Sequence, residues 1–163
     1  MATNVDTKYV QRRAVQLSDL DAYAAEVDRI AAAEKAGRVR TSGNWTAGQI
    51  LAHLAAWIEY NYTGFPLAPP PWAIRLILKT FMKKKYLRSG LPQGVKIPGQ
   101  ANGTTGQDMM TTSDAVERLK RAINRIRVEP PMHPSPAFGE LTHDECIRLN
   151  LRHAELHLGF ISY

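Results

Sequence analysis

Apolar residues return every three or four positions in four separate stretches of this chain. That period lays an apolar stripe along one side of an α-helix, and such a stripe has to be buried against a partner. Leu20, Tyr23, Val27 and Ile30 mark the first stretch, read as a helix over about 18–36, with Ser18 placed to cap its start and Gly37 to stop it. The second, TAGQILAHLAAWIEYNYTGF, runs to about Gly64. It opens with Thr46 and Gln49 at the spacing of a capping box, in which each side chain satisfies the other residue's exposed backbone N–H. Val116, Leu119, Ile123 and Ile126 mark a third helix over about 113–127. Thr142 and Glu145 repeat the box spacing and open a last helix expected to continue nearly to Tyr163. No stretch alternates as a strand would over any length, and no internal repeat is present. The pattern predicts an all-α fold, a four-helix bundle with a long middle connection, and a single domain over residues 1–163. A chain of 163 residues can bury a core without staples.

The connection is where the composition departs from the average. PLAPPP breaks regular structure after the second helix. Residues 72–88, WAIRLILKTFMKKKYLR, then carry six basic side chains and no acidic one. Without them the remaining chain has 15 basic against 15 acidic residues, so the net charge of +6 is one patch. A uniformly basic nucleic-acid binder has a different profile, and no nucleic-acid partner is assigned. The segment reads as a short helix with apolar residues in its front half and lysines in its rear half, rather than split around its circumference. Three readings follow: a solvated basic end on a partly buried segment, a surface for an anionic partner, or a lid that draws an anionic substrate to a site. Residues 89–112, rich in Gly, Pro, Thr and Gln, read as a long loop of the kind that is often functional. The single cysteine, Cys146, rules out an internal disulfide and fits a reducing compartment. The N-terminus has no secretory apolar stretch, and no apolar run reaches the roughly 18 residues of a spanning helix. The expectation is a soluble, cytoplasmic protein with no transmembrane segment; a homodimer is left open.

Within the last helix, HAELH sets His153 and His157 four residues apart. At about 100° per residue, Asp144, Arg148, Arg152 and Glu155 fall on one side and the leucines and isoleucines on a broad opposite arc. Both histidines lie near the middle of that apolar arc, in line with Cys146 and Asn150. Their imidazoles are expected to face the interior, where each needs hydrogen-bond partners or a metal. One buried histidine is ordinarily a satisfied core residue, whereas two at this spacing can converge on one ion. Ala154 follows the first histidine, so this is not the HExxH signature. His53 is the best third ligand. It falls at the edge of the second helix's apolar face, beside Trp57, where it either reaches inward or is an ordinary surface histidine. His133, in a proline-rich loop, and His143, in the first turn of the last helix, are weaker candidates. Cys146 stands about 10 Å along the axis from His153 and reads as a small core residue.

Three pieces, GNWTAGQILAHLAAWIEY (43–60), HPSPAFGELTHDECIRL (133–149) and HAELHLGF (153–160), resemble in order and spacing the DinB/YfiT-like superfamily of four-helix metalloenzymes, in its branch with HPxxxFG and HxxxH motifs. The resemblance implies an up-up-down-down bundle holding a divalent metal on three histidines, one from the second helix and two from the last. Carried over residue by residue, these are His53, His153 and His157. Many relatives carry a histidine where this chain has Leu156. That puts in doubt any second-shell or substrate contact made from that position.

Three neutral imidazoles leave a bound cation positively charged with an open position, the arrangement of a catalytic site rather than a closed structural one. Zinc, nickel and iron all suit such ligands. Since characterised relatives include thiol-dependent transferases and isomerases, the first reading is a metal-dependent enzyme, a thiol S-transferase or hydrolase, acting on a small molecule such as a low-molecular-weight thiol. The second is a non-catalytic binding or stress-response module that uses the 72–88 segment to contact an anionic partner. No general base stands out. Asn150 either orients a ligand or is a satisfied core amide. Gln49 either lines the pocket or only caps its helix, and Trp57 either walls the pocket or belongs to the core.

Overall fold

The computed structural model describes residues 5–100 and 103–163; Met1–Asn4, and Ala101 and Asn102 of the expected long loop, lie outside the described residues. Its helices are α1 (Leu20–Lys35), α2 (Ala47–Thr63), α3 (Trp72–Ile77), α4 (Lys83–Ser89), α5 (Thr112–Val128) and α6 (His143–Leu158), with a π-turn at Leu78–Met82 joining α3 to α4. Both expected capping boxes form, Thr46 with Gln49 and Thr142 with Glu145. At α1 the cap is Asp19 rather than Ser18: Asp19 accepts from the Ala22 N–H while the Ser18 hydroxyl donates to Asp19. A carboxylate there also complements the positive end of the helix dipole.

The four long helices pack in sequence around one core, α1 on α5, α5 on α2, α2 on α6 and α6 on α1. Tyr23, Ile30, Leu54, Ile58, Leu119 and Ile123 are among its fully buried side chains. α4 lies against α6, where Lys83 pairs with Glu145 of the capping box at 2.6 Å. That pair places Lys83 at the start of α6, about 18 Å along the helix axis from His157 at the standard rise.

Two expectations are corrected at the chain's end. α6 stops at Leu158 instead of continuing nearly to Tyr163, and the fold is not wholly helical. Ile161–Ser162 forms a short antiparallel ladder with Arg40–Thr41, Thr41 opposite Ile161. The cause is the segment before α1. The Arg12 guanidinium donates to Leu156 O (2.6 Å) and the Arg13 backbone N–H to Gly159 O (2.8 Å), taking carbonyls that a continuing helix would need. The chain turns at Gly159, and Phe160 and Ile161 are buried from the ladder instead of from a helix. Both ends are fastened to α1 through buried Glu26, which accepts from Arg13, Arg29 and the Tyr163 hydroxyl.

Candidate metal centre

α2 is flanked by α5 on one side and α6 on another. A third side is closed by the loop before α5, whose Gly106 lies so near that an added Cβ would come within 2.8 Å of Ala56 Cβ. His53 is consequently 1% exposed, fully inside rather than at the edge of the apolar face. From the facing side, α6 presents His153 and His157, each partly buried as a whole residue. His53 Nε2 and His153 Nε2 are 3.2 Å apart, and one ligand atom from each of the three histidines lies within 4.8 Å of the others. The ring centroids are 4.5 Å (His53–His157), 4.7 Å (His153–His157) and 5.0 Å (His53–His153) apart. Of the five histidines, these are the three the structure gathers.

The loop also fixes the chemistry of His53. Its Nδ1 is 2.8 Å from the Thr105 carbonyl oxygen, which can only accept, so Nδ1 carries the proton. Nε2 of the neutral ring then presents a bare lone pair to the other two histidines. This hydrogen bond through the far nitrogen is the usual way a metal-binding imidazole is oriented. The same carbonyl accepts from Trp57 Nε1–H at 3.2 Å. Thr105 is in turn held by Gly106 at φ +83° and by Asp108, which pairs with Arg118, itself gripping Glu59 of α2.

Indoles wall the cluster. Trp57 lies 5.0 Å from His153 and 5.8 Å from His53, centroid to centroid. Trp45 is stacked on His157 at 5.6 Å with planes 7° apart. Trp45 and the Thr105 carbonyl are the site components the sequence reading missed. Trp45 occupies the position just before a helix cap, where an apolar residue packs back onto its own helix, and that was the signal for it. A backbone carbonyl in a loop leaves no such signal.

Burial pushes the His53 pKa down to about 4, offset only in part by the Thr105 bond. Burial also holds His153 and His157 well below the ordinary value, reinforced by His53 for the former and by His153, His53 and Arg12 for the latter. All three rings are neutral near pH 7, with lone pairs free to bind a cation. Two nitrogens bound at about 2.0–2.1 Å in tetrahedral array stand about 3.3 Å apart, close to the observed 3.2 Å. The same distance fits an N–H···N bond from His153 to His53. The third converging nitrogen is what a two-centre hydrogen bond leaves unexplained.

The remaining candidates are engaged elsewhere. Asn150 donates to Cys146 O at 2.9 Å. Gln49 is occupied in its capping box. Burial pushes the Cys146 thiol up to about 11, and the thiol donates to Asn61, so it is a core residue as expected. His143 Nε2–H donates to Ile126 O, stitching the start of α6 to α5, and the His133 backbone N–H donates to Asn61 O. A surface cleft lined by Asp19, Arg127, Asp144 and Arg148 lies on the opposite side of α6 and includes none of the clustered histidines.

A family model described as "Protein of unknown function (DUF1569)" matches residues 9–163, and the chain belongs to that family. No curated protein and no solved structure matches it.

Proposed function

We propose that this member of the DUF1569 family is a DinB-like four-helix bundle carrying one divalent metal on His53, His153 and His157, and that it acts as an enzyme of the thiol S-transferase or hydrolase type. The observation that carries the reading is the convergence of three neutral imidazoles from two helices, one of them oriented through its far nitrogen by a backbone carbonyl. The ring of contacts among the four long helices and the resemblance of its motifs support the bundle assignment.

Each part of the site has a defined task. The Thr105 carbonyl keeps His53 in the tautomer whose Nε2 can bind. Trp45 and Trp57 exclude water from the flanks, so charge placed at the centre is weakly screened. Among the described residues no carboxylate joins the cluster, and a divalent ion there would keep its full charge. Zinc, nickel or iron suits this donor set, and when bound would lower the pKa of a water or thiol at its open position. A small thiol or an ester is the substrate class that fits such a centre.

The test is elemental analysis of protein purified without a histidine tag, for wild type and for His153→Ala and His157→Ala. About one divalent metal per wild-type chain is expected, and none held stoichiometrically by either variant. Each truncation should cost on the order of 1–4 kcal/mol and leave the helical circular dichroism in place, because the fold rests on apolar contacts spread over four helices. Unchanged metal content in both variants would reduce the pair to core packing. Turnover of thiol and ester substrates by metal-loaded protein, lost in the same variants, tests the enzymatic half.

A further inference from the structure

The segment that the histidine site leaves unused carries an observation of its own. Every residue of α3, Trp72–Ile77, is exposed. Trp72 is 78% exposed and Phe81, in the π-turn, 72%; Ile74, Leu76 and Ile77 are exposed as well. The reading of a solvated basic end on a partly buried segment is thereby corrected for the front half, where apolar side chains point outward all round. Arg75 is the one charged residue of α3 and the other five are apolar, a composition that favours an apolar environment. Arg75 and Lys79 within this tip, and Lys84, Lys85 and Arg88 behind it, are exposed and have no ion pair among the described residues, while Lys83 is tied to Glu145. The segment has no acidic residue.

We propose that residues 72–88 dock this protein on an anionic phospholipid bilayer. Trp72, Ile77 and Phe81 of the tip sink to the boundary between headgroups and acyl chains, Arg75 and Lys79 extend their charged ends back to the phosphates, and the lysines behind the tip meet the phosphates directly. Mainly apolar residues in front and four of the six cations behind, along one axis, match the order in which a bilayer surface presents its layers to an element entering end-on. Tryptophan is the side chain most at home at that depth. Among the described residues no helix is long and apolar enough to cross a membrane, and the contact proposed is with its surface. A second copy of this chain fits less well. A two-fold contact would bring two such segments together, each with exposed arginines and lysines and neither with a carboxylate to offset them. Nucleic acid fits less well again, because it would leave the apolar tip uncovered.

The experiment is flotation of the whole protein with vesicles of phosphatidylglycerol and phosphatidylcholine, against phosphatidylcholine alone. Binding is expected to the anionic vesicles only and to weaken with salt. Trp72→Ala/Phe81→Ala should lower partitioning about tenfold or more. Lys84→Ala/Lys85→Ala should lower it about fivefold for each charge removed. The vesicle-induced blue shift of tryptophan emission should vanish in Trp72→Phe, since Trp45 and Trp57 sit at the histidine cluster. Circular dichroism of each variant checks that it is folded. Four outcomes overturn the proposal: no flotation with anionic vesicles, flotation indifferent to Trp72→Ala/Phe81→Ala, a dimer in sedimentation that Trp72→Ala dissolves, or duplex-DNA binding that depends on the lysines alone.

Discussion

The histidine cluster and the 72–88 segment break the usual partition of side chains in opposite directions. In the first, three imidazoles are drawn into an apolar interior, walled by indoles and served by a backbone carbonyl. In the second, tryptophan, phenylalanine and isoleucine stand in water beside exposed lysines, of which Lys79, Lys84 and Lys85 have no ion pair among the described residues. The inward exception is heavily supported, since the strap over His53 is held by a glycine fit, two ion pairs and two hydrogen bonds. The outward one is barely supported: α3 has no side-chain cap and no buried residue. Buried polar groups need their partners in place within the fold. Exposed apolar groups only need to meet a partner later.

The largest effect expected from this contrast is on acid stability. Folded His53 has a pKa of about 4, and His153 and His157 are also depressed, whereas each imidazole of the unfolded chain titrates near 6.5. Below pH 6.5 the unfolded state therefore takes up protons that the folded state refuses. The stability present above 6.5 falls as pH drops toward the folded values. With chelator present, the slope should approach about 1.4 kcal/mol per pH unit for His53, with His153 and His157 adding to it in the same direction. Thermal melts between pH 7 and 5, above the carboxylate range, measure it. A flat profile would mean that the cluster opens to water, and the two regions would no longer differ in kind.

Next in size is the strap. Gly106 combines φ +83° with a Cβ position 2.8 Å from Ala56 Cβ, whereas Gly99 in the same loop has φ +80° and nothing within 4 Å. Gly99→Ala should cost about 1–2 kcal/mol from left-handed strain alone. Gly106→Ala adds about 1–3 kcal/mol of overpacking and displaces the Thr105 carbonyl. Metal affinity should drop about 10–100-fold in Gly106→Ala, the usual loss when the hydrogen-bond partner of a metal-binding imidazole goes, and stay unchanged in Gly99→Ala. Melting curves and competition with a chelator compare the two. Equal affinities would show that the carbonyl does not position His53.

Much of this could be read from the residues, and what could not was settled by contacts distant in sequence. Helical period, capping boxes and the HxxxH spacing are local, and they located α1, α2, α5, α6 and two members of the cluster. His53 was harder. Its place at the border of an apolar stripe did not distinguish reaching inward from facing water until α5, α6 and the loop had closed around α2. The end of α6 depended on Arg12 and Arg13, more than 140 positions away in the chain. Nor does the sequence show that Trp72 and Phe81 lack a partner, since an apolar residue in a helix is ordinarily buried.

The smallest expected effect tests the outward exception most directly. Leu119, fully buried, should cost about 2–5 kcal/mol when cut to alanine. Trp72 is a larger side chain, and in an ordinary core its removal would cost as much or more. At 78% exposure, with its helix exposed on every side, it has little packing to lose. Trp72→Ala should therefore shift stability by no more than about 0.5 kcal/mol, as surface substitutions do. Alanine also favours the helix slightly more than tryptophan, so a small gain is as acceptable as a small loss. Urea unfolding of both variants, at two protein concentrations, gives the measurement. A loss above about 1 kcal/mol for Trp72→Ala would mean that the tip is packed in solution. If that loss also grew with protein concentration, a second copy of the chain would be its cover, and the segment would belong with the interior it was contrasted with.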